Sequence, residues 1–241
     1  MTFTTVGILY PGHSAEDDYP LFETLLPGTC ALPVQHTLMN VDAHRVEQLL
    51  DWGRPETLAA GALALRSRGI APDVVMWACT SGSFAYGWDG AHEQARELGE
   101  VAGVPASSTS LAFAHALAEL GLERVAVAAT YPADVAALFA EFLGRAGTQV
   151  TAVTSHDIVT AAEVGTIDGD RLVDMARAGD SPEAQAVLLP DTAFHTAAHL
   201  ARIEAAVGKP ILTANQVTVW EGLRLGGSRP VAAGLGALFA G

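Results

Sequence analysis

The sequence predicts an α/β protein of two similar halves, each a parallel sheet flanked by helices, with a cleft between them. Three observations predict it. Short apolar runs alternate with longer amphipathic stretches along the chain, the pattern of parallel sheets covered by helices. The segments Val74–Ser81 and Ala186–Ala193 read alike: an apolar run, a reactive side chain (Cys79 or Asp191), then Thr80 or Thr192. Each copy is followed by a second landmark, Gly103-Val104-Pro105 leading to Leu120-Gly121 and Gly208-Lys209-Pro210 leading to Leu225-Gly226, with the same Pro-to-Leu spacing.

Taken in order, the apolar runs predict strands at Val6–Tyr10, Val34–Leu38, Val74–Ala78, Val125–Ala129, Gln149–Val153, Ala186–Leu189 and Pro210–Leu212. The amphipathic stretches predict helices at Pro55–Arg68, Ala91–Val101, Ser110–Leu120, Ala133–Ala146, Asp168–Ala178 and Thr196–Val207. Asp134 and Asp168 lie near helix starts, and Gly121 and Gly147 follow helix ends, as caps require. The repeat divides the chain into a first half at 1–107, completed by 216–241, and a second half at 108–215.

Composition excludes several function classes. With 241 residues, half of them hydrophobic, the chain can bury one large core or two smaller ones. A net charge of -14 with only 13 scattered Lys and Arg argues against a nucleic-acid partner. The N-terminus enters a strand pattern at Thr5 with no secretion signal before it, and no apolar stretch approaches the ~18 residues that span a bilayer. Cys30 and Cys79 are too few for a disulfide framework or a four-ligand zinc site, so a reducing, cytoplasmic compartment fits best. A homo-oligomer is left open.

Ligands of such sheets sit beyond the carboxyl ends of the strands. Tyr10-Pro11-Gly12-His13-Ser14, Cys79-Thr80-Ser81-Gly82, Thr130-Tyr131-Pro132 and Asp191-Thr192 all follow a predicted strand, so four loops, two from each half, converge on one mouth. At a strand-to-helix turn the Cys79 thiol is expected to have a lowered pKa and to serve as nucleophile or proton donor; the plain alternative is a small buried hydrophobe. Thr80, Ser81 and the N–H groups around Gly82 would form a nest for a carboxylate or an enolate oxygen, although helix capping alone explains such hydroxyls. Tyr131 would add a phenolic donor from the other half, or simply pack. Asp191 reads equally well as a helix N-cap and as a buried acid or base. Cys30, between Pro27-Gly28 and Pro33, reads as structural. His13, His195 and His199 invite a metal reading, but the spacing of His195 and His199 lacks an accompanying Glu or third ligand; the pair reads as a partly exposed helix face, with no metal expected. Gly82 and Gly87 are too sparse for a phosphate loop.

The ordered set Gly7-Ile8-Leu9-Tyr10-Pro11, Ala78-Cys79-Thr80-Ser81, Val125–Tyr131, Leu188-Leu189-Pro190-Asp191 and Thr218–Gly226 resembles the arylmalonate decarboxylase and maleate isomerase branch of the aspartate/glutamate racemase superfamily. The resemblance implies two pseudo-symmetric flavodoxin-like halves with cofactor-free chemistry in the cleft, on a small carboxylic or dicarboxylic acid. It implies that Cys79 matches the first-half cysteine of isomerases and racemases. Thr80, Ser81 and Tyr131 match the pocket that holds a substrate carboxylate, Pro11 and Gly12 match the loop lining it, and Thr192 adjoins it. Val41, Ala161 and Val164 fall where decarboxylases have a small apolar pocket. The chain departs from the family at Asp191, where a cysteine is expected. A racemase needs two matched thiols and an isomerase would lose its second one, whereas decarboxylation needs a single proton donor. The leading expectation is therefore a malonate-like decarboxylase with Cys79 as donor. The alternatives are an isomerase or racemase in which Asp191 partners Cys79, and a non-catalytic small-acid binder.

Overall fold

Strand β1 (Thr4–Pro11) is buried on both faces, as its unbroken apolar run requires, and it organises the first sheet. The computed structural model describes residues 3–12 and 14–240. Helix α1 (Asp18–Leu25) leads to β2 (Cys30–Ala31) and β3 (Val34–Thr37), which pair in parallel with successive parts of β1. After α2 (Val46–Trp52) and α3 (Pro55–Ser67), β4 (Val74–Trp77) pairs with the other edge of β1. A short α4 (Ser81–Phe84) and the long α5 (Gly87–Ala102) precede β5 (Ala106–Ser108), which pairs with β4.

The second half repeats the plan after the crossover helix α6 (Thr109–Glu119). Its strands are β6 (Arg124–Ala129), β7 (Gln149–Ser155), β8 (Ala186–Leu189) and β9 (Ile211–Thr213), in the all-parallel order β7-β6-β8-β9. Its helices are α7 (Ala133–Arg145), α8 (Ala161–Val164), α9 (Gly169–Ala178), α10 (Leu200–Val207) and α11 (Ala214–Leu225). Val75 pairs with Ala106 as Val187 pairs with Ile211, so Cys79 and Asp191 stand equally far beyond matching ladder positions. The protein is thus an α/β molecule of two pseudo-symmetric parallel sheets flanked by helices.

All seven expected strands form. Two more, β2 and β5, escape periodicity: β2 is two residues long, and β5 is Ala-Ser-Ser. The hydroxyl-rich stretch in each repeat is a strand end that doubles as a helix cap. Ser108 accepts from Leu111 N–H, and Thr213 forms a reciprocal capping box with Gln216. Asp168 caps α9 through Arg171 N–H at 2.8 Å. The predicted helix at Thr196–Val207 instead opens with a 3₁₀ turn at Ala197–His199.

Alternate side chains of the second sheet feed two cores. Val125, Val127, Ala129 and Leu188 join one large cluster with Val6, Met76 and Phe113, while Ala126, Ala128, Val187 and Leu189 join a smaller one with Phe194 and Ile203. The large cluster therefore welds the halves together. Helix α11 follows the last strand of the second sheet yet packs on β1, β4, β5 and α6. A Cβ at Gly222 would collide with Val6 and approach Met76, so glycine permits that close approach.

Candidate active site

Cys79 ends the β4 run, and the chain turns at once into α4. Its Sγ accepts from Gly82 N–H at 3.2 Å and lies 3.8 Å from Ser81 Oγ. Gly82 is needed there, since an added Cβ would stand 3.0 Å from Sγ and 3.2 Å from Trp77 Cζ2. The expected lowering of the thiol pKa does not occur. Burial pushes the thiol up to about 12, which outweighs the Gly82 and Ser81 hydrogen bonds, and the negative potential of Asp191 adds to the rise. A one-turn helix offers too small a dipole to reverse this. At neutral pH Cys79 is a protonated thiol.

Around the sulfur the hydroxyls converge. Thr80, Ser81 and Tyr131 are all buried. The Tyr131 phenol neighbours Thr80 and Ser81 but donates to Pro190 O at 2.8 Å, which leaves Thr80 Oγ1 with no partner of hydrogen-bonding geometry. Burial, Asp191 and Cys79 hold the Tyr131 phenol well above its ordinary pKa, so it too keeps its proton. An orphaned buried hydroxyl costs about 1–3 kcal/mol, and such a group beside a protonated thiol and phenol is what a carboxylate oxygen would satisfy.

Asp191 faces this group from the second half. No helix starts there, so the N-cap reading is corrected: Oδ1 accepts from Ala193 N–H at 2.9 Å within a turn, and Oδ2 accepts from the Thr130 hydroxyl. Thr192, equally buried, offers its carbonyl to Tyr10 Oη at 3.0 Å, and the same phenol accepts from Ala15 N–H, so Tyr10 bridges the halves. Pro11 ends β1 opposite Thr37, and Gly12 takes φ +62° with its carbonyl 2.5 Å from His36 Nδ1.

Of the three residues assigned to an apolar pocket, Ala161 packs against the core cluster that contains Val164, and Val41 adjoins Asp42, which accepts from Ala161 N–H. Val41 is 53% exposed, because the loop after β3 turns its side chain outward while its carbonyl accepts from Trp52 Nε1. Val164 is fully buried in the smaller core of the second half, in one cluster with Leu172 and Met175 of α9. Ala161 starts α8 and is engaged through its backbone, donating to Asp42 Oδ1 at 2.8 Å and accepting from Ser14 Oγ at 3.0 Å. Metal ligation gains no support either. His195 lies in a loop, so the helical spacing to His199 is absent, and its Nε2 pairs with Asp17 at 2.9 Å. His13 lies outside the described residues, among which no group of three or more His, Cys, Asp or Glu side chains could hold a metal.

One residue at the heart of the site escaped the sequence reading. His44 is 2% exposed; its ring meets Tyr131 edge-on at 4.9 Å, and its Nε2 lies 3.9 Å from Asp191 Oδ2. Only its place in a loop beyond a strand end could have flagged it, because its partner is far along the chain. His44 N–H also donates to Val159 O, and Asp42 receives Ala161 and Ala162 N–H, so the loops after β3 and β7 clasp each other over the cleft.

The comparisons with known proteins agree with this fold. A family model described as arylmalonate decarboxylase matches residues 53–239. Arylmalonate decarboxylase of Bordetella bronchiseptica is 30% identical over 143 residues, 58% of this chain and 60% of that protein, so the matched stretch spans about three fifths of the relative. A liganded double mutant of arylmalonate decarboxylase, with a glycine replaced by cysteine and a cysteine by serine, superposes with a TM-score of 0.83 at 26% identity, covering 98% of this chain and 99% of that one. Maleate isomerase of Pseudomonas putida, a cysteine-to-alanine variant with maleate, gives 0.89 at 20% identity over 100% and 98% of the two chains. Maleate cis-trans isomerase of Nocardia farcinica, with a covalently bound succinylcysteine intermediate, gives 0.87 at 21% over 99% and 98%. The two isomerases share the fold. Because the family model spans well over half the chain, the protein belongs to the arylmalonate decarboxylase family.

Proposed function

We propose that the protein is a cofactor-independent decarboxylase of a malonate-like small acid, with Cys79 as proton donor. Relatives are named as decarboxylases or isomerases, and an enzyme of one of these two kinds is the common ground. One observation favours the decarboxylase: burial keeps the Cys79 thiol protonated, at about 12. A donor needs that proton, whereas attack on a double bond needs the thiolate.

In this reading one substrate carboxylate takes the place open beside Thr80 Oγ1 and accepts from the Thr80, Ser81 and Tyr131 hydroxyls. The Tyr131 phenol turns from Pro190 O to do so. Carbon dioxide leaves from the second carboxylate, and its bonding pair becomes an enediolate whose charge falls on the oxygens already hydrogen-bonded. The S–H bond of Cys79 then breaks toward the α-carbon. Gly82 N–H holds the resulting thiolate until water reprotonates it.

An isomerase with Cys79 as nucleophile and Asp191 as partner gives a different product. Proton NMR in deuterium oxide with malonates, maleate and amino acids separates the two, comparing the parent with Cys79→Ala. Carbon dioxide release with one deuterium in the product, lost in the variant, supports the decarboxylase. Fumarate from maleate, with an adduct on Cys79, supports the isomerase. Binding without turnover on any substrate of the panel counts for a binding protein.

A further inference from the structure

A cleft that takes an acid needs positive charge, and this chain supplies little: among the described residues His44 is the only basic side chain that is fully buried. Its tautomer follows from its partners. His44 Nδ1 lies 3.1 Å from Ile158 O, a carbonyl that only accepts, so Nδ1 carries a hydrogen. A neutral ring would then leave a bare Nε2 at 3.9 Å from Asp191 Oδ2. Asp191 accepts from Ala193 N–H and from the Thr130 hydroxyl, one at each oxygen. Two acceptors facing each other without a proton between them, both out of water, would be strongly unfavourable.

We propose that His44 is an imidazolium held against Asp191, and that this buried neutral pair, rather than a lone carboxylate, is what lets a carboxylate-bearing ligand approach Cys79 and Thr80. The proposal deepens the reading of the cleft as a small-acid site and rests on it. The other groups facing the pair are the Tyr131 ring at 4.9 Å, the Trp52 ring at 6.2 Å and, acting through space on Asp191, the Tyr10 phenol and the Cys79 thiol. None of these carries positive charge. Asp42, two residues before His44, is committed to the Ala161 and Ala162 N–H groups, and Arg45 is exposed. His44 is therefore a positioning and charge-compensating residue, and it requires no contact with the reacting carbon.

The test has two arms. In the parent, side-chain nitrogen NMR across pH 5 to 9 is expected to show both His44 ring nitrogens protonated at neutral pH, and Asp191→Asn is expected to return the ring to the neutral Nδ1–H tautomer. A neutral His44 in the parent at pH 7 overturns the proposal. In the second arm calorimetry follows malonate, a dianion, with turnover blocked by Cys79→Ala throughout. His44→Gln is expected to weaken its binding by about tenfold or more, since an unpaired carboxylate then faces the dianion across a low-dielectric cleft. Asp191→Asn in the same chain is expected to restore binding to within about threefold, because it removes the charge that His44 had balanced. A merely structural role for His44 would not be rescued in this way. Unchanged binding in His44→Gln, or no rescue in the double variant, overturns the proposal. If the parent binds no malonate, the small-acid reading fails, while the nitrogen shifts still decide the state of the pair.

Discussion

The Cys79 thiol should resist ionisation far beyond the ordinary range, and the size of the effect follows from its burial. With a thiol at about 12, roughly one molecule in 10⁵ is a thiolate at pH 7, against about 3% for an unperturbed thiol near 8.5. Cys30 is also pushed up, to about 11, by burial and by Glu23, so Cys30→Ser provides a single-thiol background. The assay is the difference in thiolate absorbance near 240 nm between Cys30→Ser and Cys30→Ser/Cys79→Ala, titrated from pH 6 to 10.5; the subtraction also removes the tyrosines. No step should appear below pH 10 in the folded protein, and one near 8.5 should appear in urea. Linkage gives an independent reading. The folded pKa lies above the unfolded one, so the Cys79 contribution is fully present below the unfolded value and is lost as pH rises toward about 12. By pH 10, Cys30→Ser should have lost about 1–2 kcal/mol more stability than the variant that also lacks Cys79. A folded-state midpoint below about 9 would refute the argument, and with it the preference for a proton donor over a resting nucleophile.

Two structural predictions accompany it. Gly82→Ala places a Cβ 3.0 Å from Cys79 Sγ, so the thiol or the turn must shift; a loss of about 1–3 kcal/mol in urea unfolding is expected, with turnover falling by more than tenfold. Wild-type activity in a stable Gly82→Ala protein would show that the sulfur is free to move. Asp42→Ala leaves the Ala161 and Ala162 N–H groups without their acceptor, which should cost about 1–3 kcal/mol locally. Faster hydrogen exchange confined to residues 158–164 is the expected signature, and unchanged protection there would mean that the clasp contributes nothing.

What the sequence makes legible follows the physics of each element. The strands of the two sheets are readable because both faces are buried, so Val125–Ala129 and Ala186–Leu189 are continuous apolar runs. Strand β5 is not, because its three residues are Ala-Ser-Ser: Ser107 is buried with its hydroxyl unpartnered, and Ser108 receives the Ser83 hydroxyl at 2.7 Å. The repeat puts Cys79 and Asp191 at equivalent positions of the two ladders, since register preserves position even where side-chain chemistry diverges. Contacts between the loops lay beyond its reach. His44 and Asp191 meet only when the two sheets face each other, and no spacing along the chain encodes that. Val41 and Val164 were placed by family likeness alone, and local backbone direction sends one outward and the other into a core.

The unlike residues at the two symmetric positions also bear on stereochemistry. In the proposed reading, a carbon held between Cys79 and Asp191 would have one group on each face, but the two are not equivalent donors. The thiol holds its own proton, and its hydrogen-bond contacts are to the Gly82 N–H and the Ser81 hydroxyl. The carboxylate has each oxygen occupied, by Ala193 N–H and by Thr130, with His44 behind it, so it cannot pivot toward carbon without breaking those bonds. Protonation from the first-half face alone is the expected outcome, giving one enantiomer of an α-substituted product. An enzyme whose donor lies in the second half should give the opposite hand. Asp191→Asn provides the check, because the amide oxygen can still accept from Ala193 N–H while its NH2 donates to the Thr130 hydroxyl, and the side chain can donate no acidic proton. If the residual product of Asp191→Asn keeps the parent's handedness and enantiomeric purity, Cys79 acts alone. If the parent's product is racemic and that of the variant is not, Asp191 has been delivering protons to the second face, and the pair must be treated as a two-sided acid.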